Sequence, residues 1–211
     1  MKLIAHRALW NGLRKPNSLS ALEAALAAGF GVETDLRSYA DEIYIAHDPI
    51  LDPQGVPHFD DFLAIAAKYP DAPLFLNIKE DGLCQILCKK KMEIAGVRGV
   101  FFDMSVPQLV QFSRAFTPAF LSTRISDVEP VPAALDSVEW IWVDCFEKDW
   151  DVQNLKSLMS RFPKKLAFVS PELHGRDPKN FWKMLRDLES TTKSEIALCT
   201  DHPAVFKEEC E

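Results

Sequence analysis

Four side chains have the clearest capacity for chemistry: His6, Glu33, Asp35 and His47. Glu33 and Asp35 fall within Val32-Glu33-Thr34-Asp35-Leu36, a stretch with strand character. Alternation along a strand sends both carboxylates to the same face. Like charges held that close raise each other's pKa unless a cation sits between them. Hard divalent cations such as Mg²⁺ or Ca²⁺ take oxygen ligands of this kind. A solvent-facing acidic pair, or one buried against Arg7 or Lys79, has the same spacing, so both readings stay open beside the metal.

His6 closes an apolar run, Leu3 to Ala5, and His47 closes another, Ile43 to Ala46. Two histidines flanking a carboxylate pair can serve as general base and general acid near neutral pH. Phosphodiester cleavage needs both, one to deprotonate the nucleophile and one to protonate the leaving oxygen. Arg7, Lys79 and Arg124 suit the negative charge that builds on phosphorus. The loop Glu172-Leu173-His174-Gly175-Arg176 has the residues of a substrate-binding segment, with Glu172 as its contact and His174 and Arg176 suited to anionic groups. His58 and His202 read as non-catalytic.

The elements that must carry these residues repeat one pattern: a short apolar run, a polar residue at its end, then an amphipathic helix. The runs are Leu3–Ala5, Val32–Leu36, Leu74–Lys79, Val100–Asp103, Phe120–Arg124, Val138–Asp144, Leu166–Ser170 and Ile196–Cys199, with Ile43–Ala46 as an excursion after the second. Helices with one-face apolar spacing follow most of them. Ser20 and Glu23 have capping-box spacing and Gly29 is a C-terminal stop. A helix is expected from about Gly82 to Glu93. Ser105 caps the next, and Asp177-Pro178 starts another. Pro130 and Pro132 make the fifth helix short or missing. Alternating strands and helices predict a parallel sheet, and eight units in succession predict a closed (β/α)8 TIM barrel forming one domain over residues 1–211. In such a barrel the strand C-termini form the working face. Here they deliver His6-Arg7, Glu33 and Asp35, Asn77 and Lys79, Asp103, Arg124, Asp144, Glu172 and Asp201, one ionisable group or more per strand.

Composition narrows the partners. The 211 residues carry a net charge of −7 and no basic stripe, which argues against nucleic acid. Lys89-Lys90-Lys91 reads as decoration near a helix C-terminus. No apolar span is long enough for a membrane helix and no basic amphipathic helix is evident, so no membrane insertion is expected. Cysteines at 84, 88, 145, 199 and 210 form no CxxC pair and no disulfide framework, which fits a reducing, cytoplasmic setting.

Taken together, Ile4-Ala5-His6-Arg7, Asn17-Ser18 before a helix, Glu33-x-Asp35 and His47-Asp48-Pro49 resemble the opening of the glycerophosphodiester phosphodiesterase family, within the wider group of phosphatidylinositol-specific phospholipase C-like enzymes. Asn77-Ile78-Lys79 and Thr200-Asp201-His202-Pro203 fall where that family has its third- and eighth-strand motifs. The resemblance implies a barrel enzyme that cleaves a small-molecule glycerophosphodiester to a phosphomonoester and an alcohol. It implies His6 and His47 as acid and base, a divalent cation (Mg²⁺ or Ca²⁺) on Glu33, Asp35 and the residue at 77, and Arg7 and Lys79 at the phosphate. The sequence departs from the family at Ala8, where the family has glycine, at Pro16, where it has glutamate, and at Asn77, where it has a third metal carboxylate. Glu172, Asp103 and Asp144 are candidates to replace that carboxylate. The loop from His47 to Phe59 leaves little room for the family's inserted substrate subdomain. Two further readings follow from these departures: a metal-independent, phospholipase C-like cleavage that stops at a cyclic phosphate, and a retired barrel that binds a phosphorylated ligand without turnover.

Overall fold

The computed structural model describes residues 1–190, 192 and 194–209; Cys210 lies outside the described residues. Among the described residues there are nine strands: β1 (Lys2–Ala5), β2 (Gly31–Tyr39), β3 (Glu42–Ile45), β4 (Leu74–Ile78), β5 (Gly99–Phe102), β6 (Ser122–Ile125), β7 (Trp140–Val143), β8 (Lys165–Val169) and β9 (Ile196–Thr200). Eight are parallel, in the order β5-β4-β2-β1-β9-β8-β7-β6. The ninth, β3, folds back antiparallel on the long end of β2, pairing Leu36 with Ile45 and Tyr39 with Glu42. The barrel closes between β5 and β6 through a single parallel bridge, Phe101 to Leu121. The expected (β/α)8 TIM barrel is the observed fold, with β3 as its excursion strand.

Parity along each strand divides the core in two. Ile4, Phe75, Phe102, Trp140, Trp142, Ala167 and Cys199 cluster together inside the barrel. Their rings interlock, Phe102 on Trp142 at 4.0 Å and Phe75 edge-on to Trp140 at 5.1 Å between centroids. These aromatics fill the space beneath the strand C-termini. Alternate residues such as Val32, Leu36, Leu74 and Leu76 pack outward against helices α1 (Leu19–Ala27) and α2 (Phe59–Ala66).

Local chemistry sets the helix ends, with corrections to the expectation. The N-cap of α1 is Ser18, whose Oγ accepts from Ala21 N; Ser20 only meets Ser18, and Glu23 turns to Lys68, so the capping box at Ser20 and Glu23 does not form. Gly29 does take the left-handed conformation after the helix, at φ 81°. The helix expected over 82–93 divides into α3 (Leu83–Cys88) and α4 (Lys91–Gly96). At the division Lys89 N and Lys90 N bond three residues back, to Ile86 O and Leu87 O. Lys90 pairs with Asp60 and Lys91 with the carbonyl of Ala115, so this lysine run ties elements together and lies at a break. Helix α5 (Val106–Ala115) starts at Ser105, as its spacing indicates. Strand β6 begins later than expected because Pro118–Phe120 form a 3-10 turn, and 126–138 hold only another such turn, Leu135–Ser137, so the helix expected around Pro130 and Pro132 is absent. Helices α6 (Val152–Arg161), α7 (Lys179–Glu189) and α8 (Pro203–Glu208) complete the outer layer. Among the described residues no helix is long and apolar enough to cross a membrane.

Candidate active site

The inward parity of each strand continues past its end into the barrel mouth. Ile4 leads to His6, Phe75 to Asn77 and Lys79, Trp142 to Asp144, and Cys199 to Asp201. On β2 the inward pair is Glu33 and Asp35, exposed by only 2% and 1%. Two adjacent carboxylates this deep need compensation, because burial of an unpaired charge is costly.

The compensation comes from the loop after β1 and from β4. The backbone N–H of Arg7 donates to Glu33 Oε2 at 3.0 Å, and Asn77 Nδ2 lies 3.4 Å from Glu33 Oε1. Asn17 Nδ2 donates to Asp35 Oδ2 at 2.8 Å, while its Oδ1 accepts from Thr34. Arg7 Nε lies 3.4 Å from Asp35 Oδ2, and Lys79 Nζ lies 3.8 Å from Asp35 Oδ1. Arg7, Ala8 and Asn17 all sit at positive φ, 53°, 70° and 60°. The turn thus accepts left-handed backbone, including at Ala8, to aim an N–H and an amide at the two carboxylates. Burial, followed by the neighbouring charge of Asp35, pushes Glu33 up to about 7.

This donor set can be tested against a divalent cation. Glu33 and Asp35 supply hard oxygen ligands, and the buried Oδ1 of Asn77 has no hydrogen-bond partner. An orphaned acceptor of this kind is disfavoured by roughly 1–3 kcal/mol unless something satisfies it. Two carboxylates and one amide carbonyl fit a hard cation. The set is leaner than a three-acid site: among the described residues, no three His, Cys, Asp or Glu side chains converge as a metal-ligand group. Asp103, Asp144 and Glu172, the candidates to replace the third carboxylate, are engaged elsewhere.

His6 stands beside this pair. Its Nδ1 lies 2.8 Å from Asp201 Oδ1 at the end of β9, the strand that pairs with β1. Burial lowers its basicity, but the Asp201 hydrogen bond and the charge of Glu33 outweigh it, so the imidazole pKa is raised. The indole Nε1 of Trp10 donates to His6 O at 3.1 Å. Glu172, expected at the substrate, instead braces this corner. Its carboxylate accepts from Ser170 Oγ, from Thr200 Oγ1 and, at 3.2 Å, from Asp201 N. Both its oxygens are spent on the ends of β8 and β9.

His47 follows β3 and lies on the other side of Arg7. Its carbonyl accepts from Arg37 Nε at 2.9 Å, and Arg37 is held in turn by Glu80 at 3.1 Å. Its Nδ1 lies 2.8 Å from Asp48, whose carboxyl is held below its ordinary pKa by that contact. Arg7 and His47 share the lining of a groove of about 570 Å³ between the loops after β1 and β3.

The far half of the mouth is organised differently. Arg124, expected at the phosphate, is paired with Asp103 and, at 2.7 Å, with Glu129. His174 Nε2 lies 2.7 Å from Asp144 Oδ1, with the Phe146 ring edge-on at 5.4 Å. Arg176 reaches Asp149 at 2.8 Å and the carbonyls of Cys145 and Phe146. The structure therefore gathers His6, Arg7, Glu33, Asp35, Asn77 and Lys79 into one cluster, sets His47 across a groove from it, and assigns Arg124 and Glu172 to internal pairs. Asp201 is expected from the sequence only as an ionisable strand end, whereas in the structure it holds His6, and Arg37 and Trp10 join the site through the carbonyls of His47 and His6. The inward parity of β9 was the available signal for Asp201; the other two carry none.

No family model and no curated protein matches the sequence. Solved structures do match its fold. A glycerophosphodiester phosphodiesterase from Parabacteroides distasonis superposes with a TM-score of 0.70 at 16% identity, covering 99% of this chain and 95% of that one. A glycerophosphodiester phosphodiesterase from Agrobacterium tumefaciens gives 0.62 at 16%, covering 97% and 98%. A mutant tryptophan synthase alpha-subunit from Pyrococcus furiosus gives 0.57 at 14%, covering 98% and 90%. At these identities the likeness is one of fold, shared by barrels of different chemistry.

Proposed function

We propose that this chain is a phosphodiester hydrolase, acting on a glycerol or polyol phosphodiester to release a phosphomonoester and an alcohol. The observation that carries the reading is the Asp201-held His6 beside the buried Glu33–Asp35 pair, with Arg7 bridging to the groove lined by His47. With Nδ1 engaged by Asp201, the free nitrogen of His6 is Nε2; with Nδ1 engaged by Asp48, the free nitrogen of His47 is also Nε2. One imidazole takes the proton from the attacking hydroxyl, of water or of the substrate itself. The P–O bond to the leaving alcohol breaks, and the other imidazole protonates the departing oxygen. Attack by a substrate hydroxyl gives a cyclic phosphate that water then opens. Arg7 and Lys79 offset the charge on the non-bridging oxygens.

Glu33, Asp35 and Asn77 Oδ1 are the groups that would hold a Mg²⁺ or Ca²⁺ ion, which when bound polarises the phosphoryl oxygens and offsets their charge. A metal-independent reading has one observation in its favour: Arg7 and Lys79 already flank Asp35, and Asn77 brings an amide where a third carboxylate would serve a cation. The net charge of −7 favours a small-molecule substrate over nucleic acid. Free Cys84, Cys88, Cys145 and Cys199 suit a reducing compartment such as the cytoplasm.

A panel of phosphodiesters, assayed for phosphomonoester release with and without exhaustive chelation, tests the reading. His6→Ala and His47→Ala are each expected to lose on the order of 100-fold or more. Unchanged turnover in both would refute it, and full activity under chelation would select the metal-independent route.

A further inference from the structure

We propose that Arg37, clamped by Glu80, is the positioning residue for His47, and that this clamp holds the second histidine and Lys79 as one unit. The catalytic consequence of the clamp rests on the phosphodiesterase reading above.

The two histidines are held in different ways. His6 has its ring fixed by Asp201, from the far end of the chain. Among the described residues the ring of His47 bonds only to Asp48, whose side chain is 89% exposed. An exposed neighbour in the same loop moves with the histidine and cannot place it against the barrel. What places His47 is its backbone. Ala46 N donates to Asp35 O at 3.1 Å, the last bond of the β2–β3 pairing, and Ile45 N donates to Pro57 O at 2.9 Å, which closes the base of the loop. His47 is the first residue past that pairing, and its carbonyl accepts from Arg37 Nε at 2.9 Å.

Arg37 shares the β2 parity of Glu33 and Asp35 and comes next in that series, with its side chain only 14% exposed. Its fork is engaged twice, Nε on His47 O and Nη1 on Glu80 Oε2 at 3.1 Å. Glu80 spends its other oxygen on Ser38, accepting from the backbone N and from Oγ at 2.7 Å each. Burial raises the Glu80 carboxyl, but the Ser38 bonds and the Arg37 charge outweigh it, and it is held below its ordinary pKa. Charge-assisted bonds of this kind are the strong ones, and a planar guanidinium loses little freedom per bond formed. The result is a rigid clamp: β2 supplies the fork, the residue after Lys79 anchors it, and the carbonyl of His47 is what it holds.

The anchor sits where it can couple two parts of the site. Lys79 N donates to Leu36 O at 3.2 Å, and its ammonium lies 3.8 Å from Asp35. Lys79 and Glu80 therefore leave the end of β4 on consecutive residues, one beside the buried carboxylates and the other on the clamp. A shift of that strand end moves the phosphate-side cation and His47 together. The carbonyl of His6 is held in a similar way, by the indole N–H of Trp10. His6 has Asp201 as well, whereas His47 has only the clamp beyond its strand pairing. A misplacement of about 1 Å at an acid or base can cost on the order of 100-fold in rate.

The test joins a double-mutant cycle to imidazole NMR. The cycle uses the diester of the panel above that turns over fastest. Arg37→Met should lower kcat by roughly 10–100-fold, with KM moving less. In a His47→Ala background the same change should cost no more than about twofold, because the residue it positions is gone. Arg37→Lys keeps the charge without the fork and should behave like Arg37→Met. Glu80→Gln leaves Arg37 in place and should lower kcat by a smaller factor; it serves where Arg37→Met does not fold. Losses that add in the double variant, or wild-type kcat in Arg37→Lys or Glu80→Gln, overturn the proposal. If the wild type turns over no diester, the phosphodiesterase reading falls by itself and the imidazole signals judge the clamp. In Arg37→Lys and Glu80→Gln the His47 signals should move while those of His6 stay, and unmoved His47 signals overturn the positioning.

Discussion

His6 and Asp201 meet across the seam between the first and last strands of the barrel, Nδ1 to Oδ1 at 2.8 Å, although 195 residues separate them in the chain. The contact leaves Nε2 of His6 as the nitrogen available to a reacting group and stabilises the imidazolium. Asp201→Ala should therefore lower turnover of a phosphodiester by roughly 10–100-fold, the usual cost of losing the partner that orients a working histidine. KM should move less than kcat. Asp201→Asn, which keeps the shape but removes the charge, should shift the histidine limb of the pH–rate profile downward. An unchanged profile in both variants would show that the contact is merely structural.

Glu172 has three protein donors on its carboxylate, Ser170, Thr200 and the Asp201 backbone, and Trp182 Nε1 reaches the same Ser170 Oγ at 2.7 Å. Glu172→Ala strands these donors. A loss of about 2–4 kcal/mol is expected, each unmatched buried polar group costing about 1–3 kcal/mol with partial recovery by water. Urea unfolding with an unchanged m-value would measure it. A loss below the error of extrapolation would mean that the network is slack.

Glu33 and His6 set a pH dependence whose sign can be worked out. Glu33 titrates at about 7 in the folded chain, against 4.5 in its absence of structure, and His6 is also raised. In both cases the folded state binds more protons than the unfolded one. Stability is then fully present below the unfolded values and falls as pH rises, from 4.5 to about 7 for Glu33 and from 6.5 upward through the raised value for His6. The melting temperature under chelation should fall from mildly acidic to mildly alkaline pH. Glu33→Gln should flatten the slope, and a slope of the opposite sign would contradict the buried environment of this carboxylate.

Divalent cations should stabilise the chain through Glu33, Asp35 and Asn77. A cation present at about 100 times its Kd adds about 2.7 kcal/mol, which a thermal shift with Mg²⁺ or Ca²⁺ would register without any assay of activity. Glu33→Gln should abolish the shift, and Asn77→Glu should move it to lower cation concentrations by adding the missing carboxylate. No shift in wild type, with one gained in Asn77→Glu, would select the metal-independent reading.

His47 is half exposed and, among the described residues, its ring hydrogen-bonds only to its neighbour Asp48. His47→Ala should leave the urea midpoint within about 0.5 kcal/mol of wild type, as surface changes do, even where it removes turnover. A large destabilisation would place His47 in the architecture instead.

Much of this molecule is written locally. The eight-fold alternation of apolar runs and helices, the inward pairing of Glu33 with Asp35, the cap at Ser105 and the absent helix around Pro130 and Pro132 each follow from a period, a cap or a missing N–H within a few residues. Those are properties of short segments, and a sequence displays them directly. Ser18 replacing Ser20 as a cap and the break at Lys89–Lys90 mark the limit of that legibility, since several residues offered similar local chemistry and packing chose among them. The pairings that give the site its character lie beyond it. Closure of the barrel sets β9 beside β1, which puts Asp201 on His6 and Glu172 on the backbone of Asp201. The fourth and fifth ionisable strand ends neutralise each other, so that Arg124 is taken by Asp103, and by Glu129 beyond it, while Lys79 stays beside Asp35. Whether a charged strand end is a free group or half of an internal pair depends on which distant segment arrives next to it, and only the tertiary structure decides that.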